Sequence, residues 1–225
     1  MAPLGTLIGP MPNPRNFKAR IVAVITGLEL GTTPDFQMGV DNKTPEYLAK
    51  YPAGKVPVFE GADGFSVSDS SAIAYYIAAK AGSESTLLGQ TAEETAEILQ
   101  FILFAEADFV PALIGTLAPL MGHAKFFKPA HQQAEEQFFR FIDVLNTQLI
   151  NRTFVVGERL TIADVVVACD LLYSFQLYLT SEDRDKYPDL TRYFTTITAE
   201  PAFKAVLGDV VYCEKRIELA ASAKK

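Results

Sequence analysis

The chain changes character near residue 85. Before that point, short apolar runs alternate with glycine, proline and polar turn residues, and strand patterns alternate with helical ones. After it the strand patterns stop, and apolar residues recur at helical spacing through 91–122 and 129–151. The sequence therefore predicts an α/β domain over 1–82, a linker over 83–90 and an all-helical domain over 91–225.

The first domain is predicted to run in the order βαβαββα. The alternation and turn signals favour strands near 6–8, 28–33, 56–59 and 65–68. A first helix begins near Arg15 and ends at Gly27, and a second follows Thr44, a good N-cap. Asp69 and Ser70 cap the third. In the second domain, Thr161 and Asp164 have the spacing of a capping box at a helix start.

Charge and composition exclude several classes of function. The net charge is −7, so the chain lacks the clustered positive charge that direct binding to nucleic acid or to anionic membrane surfaces requires. Its longest uncharged apolar stretch, 109–122, is too short to span a bilayer. The first ten residues show no signal peptide, and the two cysteines lie far apart, so a cytoplasmic protein without a metal site is expected.

Pro57 opens one of the predicted strands, which is an unusual position for proline. Two alternatives stay open at this point. The Val56–Pro57 bond is an ordinary trans bond, or it is cis. A cis bond would turn the backbone N–H and C=O of Val56 outward, where they can pair with a peptide main chain.

Asp69 and Ser70 stand at a strand-to-helix junction, and this position also allows two interpretations. A helix N-terminus presents free amides and positive partial charge, so Ser70 can bind a carboxylate. Asp69 can form an ion pair with an ammonium group. Together they suit an amino-acid head group. The alternative is helix capping alone, which needs no ligand.

The loop before the first helix holds the candidate catalytic residues Asn13 and Arg15. A thiol at this helix start would have its pKa lowered, and Asn13 can donate a hydrogen bond to the thiolate while Arg15 adds positive charge. Residues 9–18 contain no Ser, Thr, Tyr or Cys. The alternative is a turn followed by a solvated arginine.

The order of these features along the chain resembles the glutathione transferase fold. The resemblance implies a thioredoxin-like first domain with a mixed four-stranded sheet, an all-α second domain and a cis bond before Pro57. It also implies that glutathione is the ligand, with its cysteinyl backbone on Val56, its γ-glutamyl group on Asp69 and Ser70, and its glycyl carboxylate near Lys55. The family usually has Glu at the position of Asp69, so Asp69, with its shorter side chain, is expected to bind the γ-glutamyl group more weakly.

Longer blocks narrow the resemblance to the glutathione-transferase-like region of the translation elongation factor 1 gamma family; they span residues 43–48, 51–61, 63–65, 72–76, 154–159, 205–210 and 213–215. This resemblance implies a homodimeric scaffold in protein biosynthesis. Its implied partners are the elongation factor 1 exchange subunits and aminoacyl-tRNA synthetase. Members of that family continue through a lysine-rich linker, which can begin at 223–225.

Two classes of function stay open. In the first, the chain is a scaffold subunit that also has a glutathione-binding cleft and modest glutathione transferase activity. The activity is expected to be modest because an amide such as that of Asn13 is a neutral donor with no proton to relay. In the second, it is a stand-alone glutathione transferase that conjugates glutathione to electrophiles in detoxification. The narrower resemblance favours the first.

Overall fold

The structure is a computed structural model that describes residues 2–82 and 85–219. The first two residues of the predicted linker and the segment 223–225, named above as a possible linker start, lie outside the described residues.

The N-terminal part is built on a four-stranded mixed sheet with the order β2-β1-β3-β4. Strand β1 pairs in parallel with β2, and the other two pairings are antiparallel. The strands are β1 (Gly5–Ile8), β2 (Leu30–Thr32), β3 (Val58–Gly61) and β4 (Ser66–Ser68). The predicted mixed sheet is thereby confirmed. Strand β3 begins two residues later than predicted, because Pro57 has no N–H to give to the ladder.

Helices α1 (Pro14–Thr26) and α2 (Pro45–Lys50) lie between these strands in the chain, and α3 (Ser70–Lys80) follows the last strand. Their ends follow the cap signals in the sequence. Gly27 ends α1 with φ 71°, a left-handed conformation that favours glycine. Thr44 caps α2, accepting a hydrogen bond from the backbone N–H of Tyr47 at 3.2 Å. The βαβαββα order is therefore confirmed.

The C-terminal part contains seven helices within the described residues; they are α4 (Ala92–Leu103), α5 (Val110–Leu120), α6 (Lys128–Gln148), α7 (Ile162–Leu177), α8 (Ser181–Lys186), α9 (Pro188–Ala199) and α10 (Pro201–Leu207). A π-helical segment, Phe104–Phe109, joins α4 to α5. Pro111 is the second residue of the following helix and has no N–H to bond back across this segment. The π-helical turn therefore lies where a regular α-helix would lack the backbone hydrogen bond of Pro111.

Helix α7 lies at the centre of the molecule and is buried over most of its length. Helix α1 packs on α3 on one side and on α7 on the other, so the sheet layer and the helical layer share one continuous core. The capping box predicted at the start of α7 is present, with the N–H of Thr161 donating to the Asp164 carboxylate at 2.8 Å. Because α1 touches both layers, its N-terminus lies where they meet.

The continuous helical stretch Ala92–Leu120 is longer than the apolar run 109–122 and has a window of mean hydropathy 1.7. By length and composition it passes the test for a membrane span, which buried core helices also pass. Half of that window is buried inside the protein. The stretch supplies core residues such as Phe109 and Leu113.

Candidate functional site

Three separate chain segments meet in a cleft of about 300 Å³ beside the sheet; its lining residues are Arg15, Lys50, Tyr51, Pro52, Ala53, Lys55, Val56, Pro57, Ser68, Asp69 and Ser70. Arg15 comes from the start of α1, and the other lining residues come from the segments before β3 and at the start of α3. Six of the seven predicted site residues lie here. Asn13 is the exception.

The Val56–Pro57 peptide bond is cis, so the trans alternative is wrong for this position. Pro57 is buried and Val56 is half-buried at the cleft. Among the described residues, no hydrogen bond reaches the backbone N–H or C=O of Val56. Buried or half-buried backbone groups are usually paired, so this residue offers a free donor and a free acceptor to the cleft.

Asp69 caps α3, as one of the two interpretations of the sequence proposes. Its Oδ1 accepts from the N–H of Ser71 at 3.0 Å and from that of Ala72 at 3.1 Å. The residue has φ 82°, an uncommon backbone conformation for a non-glycine residue and one that is often found at ligand clamps. Capping uses only one of its two carboxylate oxygens, so it does not exclude a ligand at the other.

Ser70 is buried at the first position of α3 and lines the cleft. No hydrogen bond to its amide or its hydroxyl occurs within residues 2–82 and 85–219. The helix N-terminus adds positive partial charge at the same point. An amide, a hydroxyl and a helix dipole together suit a carboxylate.

Lys55 is exposed at the rim of the cleft, and its carbonyl oxygen accepts from the hydroxyl of Tyr47 at 2.6 Å. In the described part of the chain its ammonium group makes no ion pair. The neighbouring Lys50 lies 2.9 Å from Glu60 and donates a hydrogen bond to it. This bond lowers the pKa of Glu60, because its effect is larger than the opposing effect of desolvation. Lys55 is therefore a positive group at the rim of the cleft that has no ion-pair partner among the described residues.

Asn13 caps α1, accepting from the N–H of Arg15 at 2.9 Å through its Oδ1. It lines a second pocket of about 210 Å³, next to the cleft; the lining is Asn13, Pro14, Arg15, Val110, Leu113, Ile114, Cys169, Asp170 and Tyr173. Arg15 lines both spaces. The cleft and the pocket are therefore adjacent, and Asn13 and Arg15 stand at their boundary.

A buried ion cluster beneath this boundary was not predicted. The Nζ of Lys18, on a fully buried side chain, lies 2.6 Å from Glu106 Oε1 and 2.7 Å from Asp170 Oδ1. It also contacts the hydroxyl of Ser71 at 3.4 Å. The cluster joins α1, α3, the π-helical segment and α7. The sequence does carry one signal, since Lys18 falls on the apolar face of α1 with Ile21 and Val22.

Burial and charge shift the pKa values of this cluster in different directions. Desolvation raises the pKa of Asp170 to about 6, although Lys18 opposes the change. Desolvation also acts on Glu106, but the nearby Lys18 outweighs it and lowers the pKa of that carboxyl. Burial raises the pKa of the Cys169 thiol, so this cysteine stays protonated at neutral pH.

No group of three His, Cys, Asp or Glu side chains within residues 2–82 and 85–219 could hold a metal ion.

Comparison with protein families gives two matches. Residues 4–79 match the glutathione S-transferase N-terminal domain, and residues 109–201 match the glutathione S-transferase C-terminal domain.

Curated relatives named elongation factor 1-gamma include those of Rattus norvegicus and Homo sapiens. Each is 42% identical over 220 residues, which is 96% of this chain and 49% of the relative. The chain therefore spans about half the length of the curated relatives it matches.

Solved structures that share the fold include the following two. The glutathione-S-transferase-like domain of elongation factor 1-gamma from Saccharomyces cerevisiae matches with a TM-score of 0.82 at 23% identity, covering 96% of this chain and 99% of that domain. The glutathione transferase URE2P6 from Phanerochaete chrysosporium, solved with oxidised glutathione, matches with a TM-score of 0.83 at 21% identity, covering 92% and 96%. The family predicted from the sequence is confirmed: the chain belongs to the glutathione S-transferase family and is similar to elongation factor 1-gamma.

Proposed function

We propose that the chain is a glutathione-binding scaffold domain of the elongation factor 1-gamma type. The observation that carries the glutathione part is the convergence of unpartnered polar groups in one cleft. The backbone of Val56 and the amide and hydroxyl of Ser70 all lack partners among the described residues. Groups of this kind are satisfied together by a short peptide bearing carboxylates.

Glutathione fits the cleft by charge as well as by hydrogen bonding. Its cysteinyl main chain pairs with Val56 as an added strand would. Its γ-glutamyl carboxylate binds Ser70 at the N-terminus of α3, and its ammonium group binds the free oxygen of Asp69. Its glycyl carboxylate lies near Lys55. Two solved neighbours were crystallised with glutathione or its oxidised form, which supports this choice of ligand.

The same placement gives a modest glutathione transferase activity. The thiol would lie near the start of α1, where the helix dipole and the positive charge of Arg15 favour the thiolate. The side-chain amide of Asn13 has no hydrogen-bond partner for its N–H groups in the described residues, so it can donate to the sulfur. The thiol proton goes to solvent, because Asn13 cannot accept it.

Replacing Ser70 by alanine should weaken glutathione binding about five- to 150-fold. The change removes a hydroxyl that bonds a charged carboxylate, a loss of roughly 1–3 kcal/mol. Calorimetric titration of both proteins measures it. Ser181, an exposed serine at the first position of α8, provides the control, and Ser181→Ala should bind as the wild type does. Equal affinities for Ser70→Ala and wild type would mean that glutathione does not bind at α3.

The scaffold part rests on the relatives named elongation factor 1-gamma, of which the chain covers about half. We propose a cytoplasmic homodimer that binds the elongation factor 1 exchange subunits and aminoacyl-tRNA synthetase. A groove of about 640 Å³ between α3 and α4 exposes the apolar side chains Leu99 and Leu103, and it is the candidate dimer face.

A pull-down with purified exchange subunits tests the scaffold role, and sedimentation of the free chain tests the dimer. Capture of an exchange subunit by this chain alone is the expected result. Failure of capture together with strong conjugating activity would instead favour the stand-alone glutathione transferase. The apolar pocket beside the cleft is the observation that supports this second function.

A further inference from the structure

The loop that carries Asn13 has few hydrogen bonds of its own. Residues 10–13 read Pro-Met-Pro-Asn, so two of the four residues have no N–H to donate. The other two amides, those of Met11 and Asn13, donate to no acceptor within residues 2–82 and 85–219. The loop is therefore held by groups outside it.

Asn16, in the first turn of α1, supplies most of these groups. Its side chain is buried, and its Nδ2 donates to the carbonyl oxygen of Pro10 and lies 3.3 Å from Sδ of Met11. Its backbone N–H donates to the carbonyl oxygen of Asn13 at 2.9 Å. No other side chain in the described part of the chain donates a hydrogen bond to residues 10–13. One residue therefore binds both ends of the loop.

The carboxamide of Asn16 is oriented by the atom it meets. The carbonyl oxygen of Pro10 can only accept, so the nitrogen of Asn16 must face it. Oδ1 of Asn16 is then buried without a hydrogen-bond partner among the described residues. A buried unpaired carbonyl group costs free energy that a leucine of similar size would avoid. Asparagine at this position thus fits a need for the donor, and filling the core does not require it.

Asn16 also lies close to the glutathione cleft without lining it. A Cβ atom on Gly9 would lie 3.3 Å from both Oδ1 and Nδ2 of Asn16 and 3.4 Å from Cβ of Val56. Gly9 therefore packs against both residues. Val56 lines the cleft and Asn16 does not, so Asn16 can act on a bound ligand only through the residues that it holds.

We propose that Asn16 is a positioning residue for the thiolate of glutathione: it fixes the loop from which the side-chain amide of Asn13 donates to the sulfur. The inference rests on the proposed function, because it takes Asn13 as that donor. Oδ1 of Asn13 is already engaged by the N–H of Arg15 at 2.9 Å, so a shift of the loop would move the remaining N–H groups away from the sulfur. Hydrogen bonds weaken steeply when they are misaligned.

The ionisation of bound glutathione tests this inference. Glutathione labelled with ¹³C at the cysteinyl Cβ is titrated with base in the presence of excess protein, and its chemical shift distinguishes thiol from thiolate. Asn13→Ala, Asn16→Leu and Asn16→Ala should each lower the acid dissociation constant of the bound thiol about tenfold, the loss of a charge-assisted hydrogen bond. Leucine and alanine differ in bulk, so a result that both share does not arise from overpacking.

Two further measurements separate positioning from a general structural effect. The double variant of Asn13→Ala and Asn16→Leu should lose no more than Asn13→Ala alone, because Asn16 acts through Asn13. S-methylglutathione has no thiolate, so all variants should bind it as the wild type does. Asn146→Leu is the matched control: Oδ1 of Asn146 accepts from the N–H of Leu190 at 3.0 Å in the helical part, and its loss should leave the bound thiol unchanged.

A wild-type dissociation constant in both Asn16 variants, beside a lowered one in Asn13→Ala, would overturn the inference alone. Additive losses in the double variant would overturn it too, because they would show that the two residues act independently. If glutathione binds but Asn13→Ala changes nothing, the inference fails together with the role of Asn13, and the glutathione site stands. If the wild type binds neither glutathione nor S-methylglutathione, the proposed site itself fails.

Discussion

Replacing Asp164 by alanine is expected to lower the free energy of unfolding by about 3 kcal/mol or more, the largest loss expected from any single cap in this chain. The carboxylate is fully buried and accepts from the N–H of Val155 at 2.9 Å, from the N–H of Thr161 at 2.8 Å and from the hydroxyl of Tyr193 at 3.2 Å. Alanine would leave these buried donors without a partner. Each such donor costs about 1–3 kcal/mol.

Denaturant unfolding of the variant measures this loss. Thr91 is a suitable control, because it caps α4 by accepting from the N–H of Glu94 at 3.2 Å but is exposed. Thr91→Ala should cost about 1 kcal/mol. Similar losses for the two variants would show that Asp164 acts as an ordinary cap, and that its long-range bonds to Val155 and Tyr193 contribute little.

Replacing Lys18 by methionine is expected to lower the free energy of unfolding by about 3–5 kcal/mol. Methionine preserves much of the length and apolar volume of the lysine side chain. The loss arises because Glu106 and Asp170 would be left close together in the core without their shared cation. Lys50→Met is the control. Lys50 pairs with Glu60 at 2.9 Å at the surface, so its removal should cost less than about 1 kcal/mol.

The Lys18→Met loss should also depend on pH. In the wild type, desolvation would lower the pKa of Lys18, but the charges of Asp170 and Glu106 outweigh it and raise that pKa. Since pH 8 lies below the ordinary pKa of lysine, Lys18 is charged there and its contribution to stability is fully present. In the variant, the two carboxyls lack a cation and should take up protons more readily. Protonation relieves the buried charge, so the loss should be smaller at pH 5 than at pH 8. Equal losses at both values would argue against uncompensated carboxylates as the cause.

Short-range signals in the sequence were sufficient for much of the fold. Gly27, Thr44 and the pair Thr161 and Asp164 act within one turn of the chain, and each stands where its cap was predicted. The boundary of β3 was less well predicted. Periodicity alone does not reveal where a strand stops pairing, and there a single missing N–H at Pro57 sets the limit.

The candidate site was predictable in part. Val56 and Ser70 could be singled out because a proline at a strand start and a serine at a helix start are local patterns. Their convergence in one cleft came from the family resemblance. The cluster of Lys18, Glu106 and Asp170 was missed because its members lie far apart in sequence, Lys18 and Glu106 being separated by 88 positions. Charge pairs between distant residues carry no local signature.

The glutathione cleft is tested most directly by a titration of the isotopically labelled chain with glutathione, followed by NMR of the backbone amides. We predict saturable shifts at millimolar glutathione or below, largest at the amides of Val56 and Ser70, with a further shift of the Asn13 side-chain amide. These groups lack hydrogen-bond partners in the described residues and would gain them from the ligand. No shift at Val56 and Ser70 up to about 10 mM ligand, a concentration at which even a millimolar site would be largely filled, would contradict the proposed glutathione site.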